Sequence, residues 1–170
     1  SSDLEVEAIC IENFKSLETQ KEPLVTTQGT ARNQKGTLTI TFTCYDNSYG
    51  NTSLYELYGM ANWSGLNWWY NAKENPAVGE DFFGFAWAGG FSGENLYARG
   101  TWNYGPSATI YLADAVANAA VVWEFEEFIH EVGKVMLWVE VVDIRASLIK
   151  RYRTGGGNTA QAILKYIHTY

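Results

Sequence analysis

Residues 37–45 read TLTITFTCY, and polar and apolar side chains alternate along the whole stretch. In an extended chain one face carries four threonines, and the other carries four residues that suit a core: Leu38, Ile40, Phe42 and Cys44. β-Branched and aromatic residues favour a pleated, half-buried strand. The stretch therefore predicts a β-strand with one buried face.

The same period of two recurs in segments on both sides of this strand. The predicted strands are residues 3–11, 37–45, 54–63, 66–71, 82–88, 96–104, 121–128 and 134–144. Gly89-Gly90 signals a hairpin between two of them, and residues 129–133 are predicted to form the turn of another. The polar segment 15–36 is interpreted as a long connection, and the alanine-rich segment 113–120 as a short helix or a loop.

The C-terminal segment shows a different pattern. Three glycines, residues 155–157, precede Asn158 and Thr159, which are favourable N-cap residues. Ile163, Leu164 and Ile167 then share one face of a helix. The sequence therefore predicts a mainly β fold in which residues 1–170 form a single domain. We expect an antiparallel β-barrel or sandwich of about eight or nine strands with a short C-terminal helix.

Three of the predicted strands carry tracks of small residues on one face. The tracks are Gly59 and Ala61, then Gly84, Ala86 and Ala88, then Ala98 and Gly100. Together they suggest a trough in a sheet, filled by a helix, by aromatic rings or by a ligand. If the chain's own side chains fill it, Ala86→Leu should overpack it at a cost of about 1–3 kcal/mol. An open ligand cavity would instead accept the leucine with little loss of stability.

Composition excludes several classes of protein. Charged residues make up 18% of the chain and aromatic residues 15%, which is the opposite of a disordered composition. No apolar run approaches the ~18 residues of a membrane-spanning helix. The net charge of −7 argues against a nucleic-acid partner. Basic residues nevertheless predominate in residues 143–170, which is either a solvated face or a site for an anionic membrane surface.

The two cysteines, Cys10 and Cys44, each end an inward-facing row of a predicted strand. If these strands are neighbours or face each other, a disulfide between them becomes geometrically accessible, and we expect that bond. The alternative is two buried thiols that act as small hydrophobic groups. Two glycosylation sequons, which begin at Asn51 and Asn62, fit a secreted eukaryotic protein. The predicted location is therefore secreted or extracellular.

Motifs for catalysis and metal binding are sparse. The two histidines, His130 and His168, lie far apart, so no metal site and no cofactor is predicted. The chain lacks Gly-x-Ser-x-Gly, a phosphate loop and a dinucleotide fingerprint. A triad assembled from distant residues stays open, and no catalytic residue is nominated.

Aromatic residues are the remaining signal, with seven tryptophans and eleven tyrosines in the chain. Their rings suit the apolar faces of sugars or a membrane interface, and they also suit a barrel core that is otherwise rich in glycine and alanine. The candidate ligand-binding residues are Tyr58, Trp63, Trp68, Trp69, Tyr70, Trp87, Arg99 and Trp102.

Three functions follow, in order of preference. The first is a secreted, non-enzymatic β-domain that binds a carbohydrate or a small apolar ligand through an aromatic, small-residue sheet surface. The second is a membrane-active or virulence-type protein, such as a lipid-binding or pore-forming toxin. It rests on the hairpins rich in glycine, alanine and aromatic residues, the amphipathic segment 121–144 and the basic tail. The third is an enzyme of unrecognised class. The sequence leaves the oligomeric state open.

Overall fold

The computed structural model describes residues 4–10, 25–33, 36–64, 80–126, 128–132, 135–151 and 161–168. In this part of the chain there are twelve β-strands and no helix. The strands are β1 (Leu4–Cys10), β2 (Val25–Asn33), β3 (Gly36–Asp46), β4 (Ser53–Ser64), β5 (Glu80–Ala88), β6 (Ser92–Trp102), β7 (Ser107–Ala108), β8 (Tyr111–Val116), β9 (Ala120–Glu126), β10 (Phe128–Val132), β11 (Val135–Lys150) and β12 (Gln161–His168).

The strands form two antiparallel sheets. A five-stranded sheet has the order β1-β12-β5-β9-β8. A seven-stranded sheet has the order β2-β3-β4-β11-β6-β7, and β10 pairs with β11 beside that path. Neither described sheet closes on itself, so the fold is a sandwich rather than a barrel. The mainly β, antiparallel fold predicted from the alternating segments is confirmed.

The core lies between the two sheets and is built from the inward faces of their strands. In β3 the four residues that alternate with threonine are all fully buried, as predicted: Leu38, Ile40, Phe42 and Cys44. The ring of Phe42 lies 5.6 Å, centroid to centroid, from the ring of Phe85 in the opposite sheet. Burial of large apolar side chains from both inner faces is the main stabilising contribution in such a fold.

The predicted C-terminal helix is wrong, because residues 161–168 form β12. Ala162, Leu164, Tyr166 and His168 are buried and alternate with more exposed residues. β12 lies between β1 and β5, so its backbone hydrogen bonds are satisfied on both sides by neighbouring strands. Such a position stabilises a strand regardless of local helix propensity. The proposed N-cap residues Asn158 and Thr159 lie outside the described residues.

Other local predictions also differ from the structure. Gly89 and Gly90 do not join a hairpin: they have φ values of 103° and 77° and carry the chain from β5 in one sheet to β6 in the other. Residues 113–120 belong to a β8–β9 hairpin. β2 occupies part of the predicted connection 15–36, and β10 includes residues 129–132 of the predicted turn 129–133. The predicted strand 66–71 lies outside the described residues.

The three small-residue tracks do not form one trough, because the β5 track lies on the outer face of the five-stranded sheet, whereas the other two lie on the inner face of the seven-stranded sheet. Gly59 and Gly100 are buried in the seven-stranded sheet. A methyl group added at Gly59 would lie 2.7 Å from Cδ1 of Leu164, so core side chains fill this track. In the five-stranded sheet Ala86 is exposed, whereas the alternate residues of β5 point into the core. The overpacking expected for Ala86→Leu therefore has no basis in this structure.

The cysteine pairing stays a prediction. No disulfide is seen among the described side chains, of which Cys44 is the one cysteine, and the side chain of Cys10 is outside that set. The backbone of β1, which ends at Cys10, lies close to β3, which carries Cys44. An intact mass measured without reductant would decide between a bond and two thiols. No helix in the described ranges has the length and apolar character to cross a membrane.

Candidate binding site

The outer face of the seven-stranded sheet brings polar and aromatic side chains together in two rows. Thr43, Tyr58, Arg145 and Tyr97 lie directly opposite one another across β3, β4, β11 and β6, and form the Arg145 row. The neighbouring row, here the Asp143 row, contains Thr41, Met60, Asp143 and Arg99. Residues that oppose one another in adjacent antiparallel strands have Cβ atoms about 5 Å apart, so each row is a continuous line of side chains.

Arg145 is held between two aromatic rings. Its guanidinium carbon lies 5.2 Å from the centroid of the Tyr58 ring and 5.0 Å from the centroid of the Tyr97 ring. Tyr45 extends the cluster, because its ring meets the Tyr58 ring edge to face at 5.4 Å. Tyr58 and Tyr97 attract the cation through the negative faces of their rings. The arginine is thereby positioned on the sheet although its side chain is exposed.

An irregularity in β6 sets the place of Tyr97. Between Arg145 and Ser147 the pairing of β11 with β6 shifts by one residue, and Asn95 at the shift has a φ of 52°. The amide of Asn95 donates a hydrogen bond of 3.2 Å to Oγ of Ser147, which in turn donates one of 2.6 Å to Glu56. A β-bulge re-aims the side chains that follow it. Here the bulge places Tyr97, rather than Leu96, opposite Arg145.

These strands enclose a shallow depression of about 620 Å³ on the sheet face. The described residues that line it are mostly polar or aromatic: Thr41, Thr43, Tyr45, Asn47, Tyr58, Gly59, Met60, Asp143, Ile144 and Arg145. Hydroxyl, amide and guanidinium groups supply donors, whereas the hydroxyls, the amide oxygen and the Asp143 carboxylate supply acceptors. Aromatic rings supply flat apolar surface beside them. The combination suits a ligand that carries both hydroxyl groups and apolar faces.

The charges at this site are close together but not paired with each other. Asp143 lies opposite Arg99 and two residues before Arg145 on the same face of β11. Within the described ranges no carboxylate lies within 4.0 Å of either guanidinium, whereas Arg151 and Glu94 nearby do pair at 3.2 Å. Hydrogen-bonding capacity at Arg145 is therefore available to a ligand.

The structure brings two of the residues predicted from the sequence to this face. Tyr58 lines the depression and Arg99 lies exposed in the Asp143 row. Trp63 and Trp87 are 4% and 8% exposed and belong to the core, and Trp102 packs against it. The other three predicted residues lie outside the described part of the chain: Trp68, Trp69 and Tyr70.

Sequence reasoning missed Tyr45, Tyr97, Asp143 and Arg145 as site residues. A signal for the last two was present, because the alternation of β11 continues beyond residue 144. Val142, Ile144 and Ala146 are buried, and the residues between them face outward. Arg145 was assigned instead to a general basic segment.

A second polar cluster lies inside the sandwich. Nδ1 of His168 lies 3.0 Å from one carboxylate oxygen of Asp81 and 3.1 Å from the other. The hydroxyl of Tyr166 donates a hydrogen bond to Asp81 and accepts one of 3.1 Å from the indole nitrogen of Trp63. Asp81, Tyr166 and His168 are at most 1% exposed. Because a substrate cannot reach buried groups of this kind, the cluster is a structural link between strands.

No group of three or more potential metal ligands occurs among the described residues. No protein-family model matches the chain, and no curated protein matches its sequence. The arrangement of side chains on the sheet face is therefore the basis on which its function is assigned.

Proposed function

We propose that this chain binds a carbohydrate on the outer face of its seven-stranded sheet. The observation that carries the proposal is the row in which Tyr58, Arg145 and Tyr97 stack beside a depression lined by threonine and asparagine. Sugars present apolar C–H faces that pack on aromatic rings, and hydroxyls that need donors and acceptors beside them. The site offers both kinds of contact within one surface.

The chemistry of the lining favours a sugar over a small apolar ligand. Apolar ligands bind in concave cavities lined predominantly by hydrophobic side chains, with few polar groups. This depression instead lies on the outside of a sheet, and Thr41, Thr43 and Asn47 line it together with two charged residues. A ligand that left the Asn47 amide and the Arg145 guanidinium without hydrogen bonds would lose free energy on binding.

The same lining favours binding over cleavage. Most glycosidases use a pair of carboxyl groups, spaced about 5–10 Å apart across the scissile bond. Among the described residues that line the depression itself, Asp143 is the one carboxylate. We therefore assign a binding role and no catalytic role to the site.

A secreted or extracellular location accords with this proposal. The asparagines of both sequons, Asn51 and Asn62, are exposed. Asn51 lies in the turn between β3 and β4, which is an accessible place for a glycan. Production in a eukaryotic secretory system, followed by deglycosylation and mass measurement, tests this part. A chain that carries no glycan at either position would remove its support.

The binding proposal is tested by screening the purified chain against a panel of neutral and acidic oligosaccharides, followed by calorimetry. Tyr58→Ala and Tyr97→Ala should each weaken binding by about tenfold or more, because each removes an aromatic surface beside the ligand. Tyr111→Ala is the matched control, since Tyr111 is exposed on β8 of the other sheet. Circular dichroism of each variant checks that the fold is kept.

Two results would overturn the proposal. One is a chain that binds no saccharide in the panel. The other is binding that survives both tyrosine substitutions at the site. Vesicles of neutral and anionic phospholipid belong in the same experiment, because vesicle binding without saccharide binding would favour the membrane-active alternative.

A further inference from the structure

We propose that the saccharide is acidic, and that Arg145 binds its carboxylate. This inference rests on the proposed function and names the class of sugar that the same site would select. It depends on three features: the position of the guanidinium between two rings, the capacity it retains for hydrogen bonds, and the charges around it.

Two aromatic rings limit the directions from which a ligand can reach Arg145. Ring centroids lie 5.2 Å and 5.0 Å from the guanidinium carbon, one on the β4 side and one on the β6 side. The rings of Tyr58 and Tyr97 therefore occupy space on both sides of the cation. Its N–H groups lie at the edge of the planar group, and they form a fork that matches two oxygens of a carboxylate. Restricting the arginine beforehand also lowers the entropy lost on binding.

Among the residues that the structure describes, no hydrogen bond to the guanidinium of Arg145 is seen. The described part of the chain supplies no carboxylate within 4.0 Å of Arg145. The nearby carboxylate of Glu56 accepts a hydrogen bond from the hydroxyl of Ser147. A charge-assisted, bidentate contact is among the stronger polar interactions that a ligand can make. Arg145, which two rings already hold in place, is therefore a strong anchor for a carboxylate on this face.

The surrounding charges select a ligand with a separate acidic group rather than a polyanion. Asp143 lies on the same face as Arg145 and would repel a second negative charge. The whole chain also carries a net charge of −7, which disfavours nucleic acids and densely charged polymers. Asp143 can instead accept hydrogen bonds from sugar hydroxyls. One carboxylate beside several hydroxyls is the pattern of a uronic or sialic acid.

The test compares acidic saccharides with neutral counterparts of similar shape by calorimetry. Digalacturonic acid is compared with its methyl ester, and sialyllactose with lactose. We expect at least one acid to bind about tenfold or more tightly than its neutral counterpart, as a hydrogen bond to a charged group implies. Raising the salt concentration from about 0.05 to about 0.5 M should weaken binding of the acid more than that of the neutral sugar.

Substitutions assign the effect to this residue. Arg145→Gln should abolish the preference for the acid, whereas Arg145→Lys should keep part of it because the charge remains without the planar fork. Arg151→Gln is the matched control: it removes an exposed arginine that already pairs with Glu94. It should leave the preference unchanged.

Failure of this inference is distinguishable from failure of the proposed function. Equal affinity for acidic and neutral sugars, or a preference that survives Arg145→Gln, overturns the inference and leaves saccharide binding intact. Absence of binding to every saccharide overturns both. Binding to anionic phospholipid vesicles without binding to either acid also overturns both, since it would assign the site to a lipid headgroup.

Discussion

The indole nitrogen of Trp63 donates a hydrogen bond of 3.1 Å to the hydroxyl of Tyr166. Trp63 belongs to β4 in the seven-stranded sheet, and Tyr166 belongs to β12 in the five-stranded sheet. The bond therefore joins the two layers through the core. The same hydroxyl donates to Asp81, whose carboxylate also meets His168. Buried polar groups are stable only when they are paired, so this cluster constrains how the two sheets pack together.

Tyr166→Phe should destabilise the protein by about 1–3 kcal/mol, because it removes the acceptor for Trp63 and a donor to the buried Asp81 carboxylate. The ring itself is retained, so little apolar packing is lost. Urea denaturation followed by tryptophan fluorescence measures the change. Tyr97→Phe is the control, since Tyr97 is 43% exposed and its substitution should change stability by less than about 0.5 kcal/mol. Equal effects of the two substitutions would contradict a stabilising role for the buried cluster.

Strands with one buried face were predictable from the sequence, and β12 shows where such reasoning fails. Ile163 and Ile167 are four residues apart, so they share a face both in a helix and in a strand. Leu164 separates the two possibilities: a helix places it beside Ile163, whereas a strand places it on the opposite face. The structure buries Leu164 together with Ala162 and leaves Ile163 half-buried. The deciding interactions come from β1 and β5, which lie far away in the sequence.

The candidate site was less predictable than the fold. Alternation along β11 places Asp143 and Arg145 on one outward face, and that much can be inferred locally. Contact between Arg145, Tyr58 and Tyr97 depends on the register of three strands from separate parts of the chain. The bulge in β6 shifts that register by one residue, and no local pattern specifies such a shift.

Gly84→Ala should be strongly destabilising although it adds only one methyl group. An ideal Cβ at Gly84 would lie 2.3 Å from the backbone oxygen of Val121 and 2.9 Å from Cα of Val122. Backbone atoms cannot rotate away, so β9 would have to move relative to β5. We expect a loss of about 1–3 kcal/mol or more in urea denaturation.

Ala86→Leu is the matched control for this substitution. Ala86 lies two residues further along the same face of β5, and it is exposed beside a small apolar depression of about 140 Å³. Its substitution should change stability by no more than about 0.5 kcal/mol. A larger loss for Ala86→Leu than for Gly84→Ala would contradict the orientation of this strand.

Glu80, on the outer face of the five-stranded sheet, makes the stability of the folded protein depend on pH. A hydrogen bond to the Glu124 side chain raises the pKa of Glu80 above its ordinary value, and desolvation and repulsion by Glu124 add to the shift. The folded state therefore holds this proton more tightly than the unfolded chain. The favourable contribution is complete below the unfolded pKa and is lost as the pH rises through the folded pKa.

Glu80→Gln should raise the Tm at pH 7, because the amide can still donate to Glu124 and the repulsion between two carboxylates is removed. As the pH falls below the raised pKa of Glu80, the wild-type side chain also becomes protonated and the difference from the wild type should shrink. Differential scanning calorimetry at several pH values measures both effects. Glu94→Gln is the control: Glu94 pairs with Arg151 at 3.2 Å, so its substitution should not raise the Tm. A pH-independent difference for Glu80→Gln would refute the assignment.

Asn95 tests whether the bulge in β6 shapes the binding face. Its φ of 52° lies in the left-handed region, which asparagine and glycine adopt readily and β-branched residues rarely adopt. Asn95→Gly should keep the bulge and lose only the hydrogen bond to Ser147, whereas Asn95→Val should cost about 1–3 kcal/mol or force the strand into another register.

A changed register would move Tyr97 away from Arg145. Saccharide affinity should therefore fall in Asn95→Val and stay near the wild-type value in Asn95→Gly, measured on folded protein by calorimetry. Equal affinities in the two variants would show that the bulge does not determine the site.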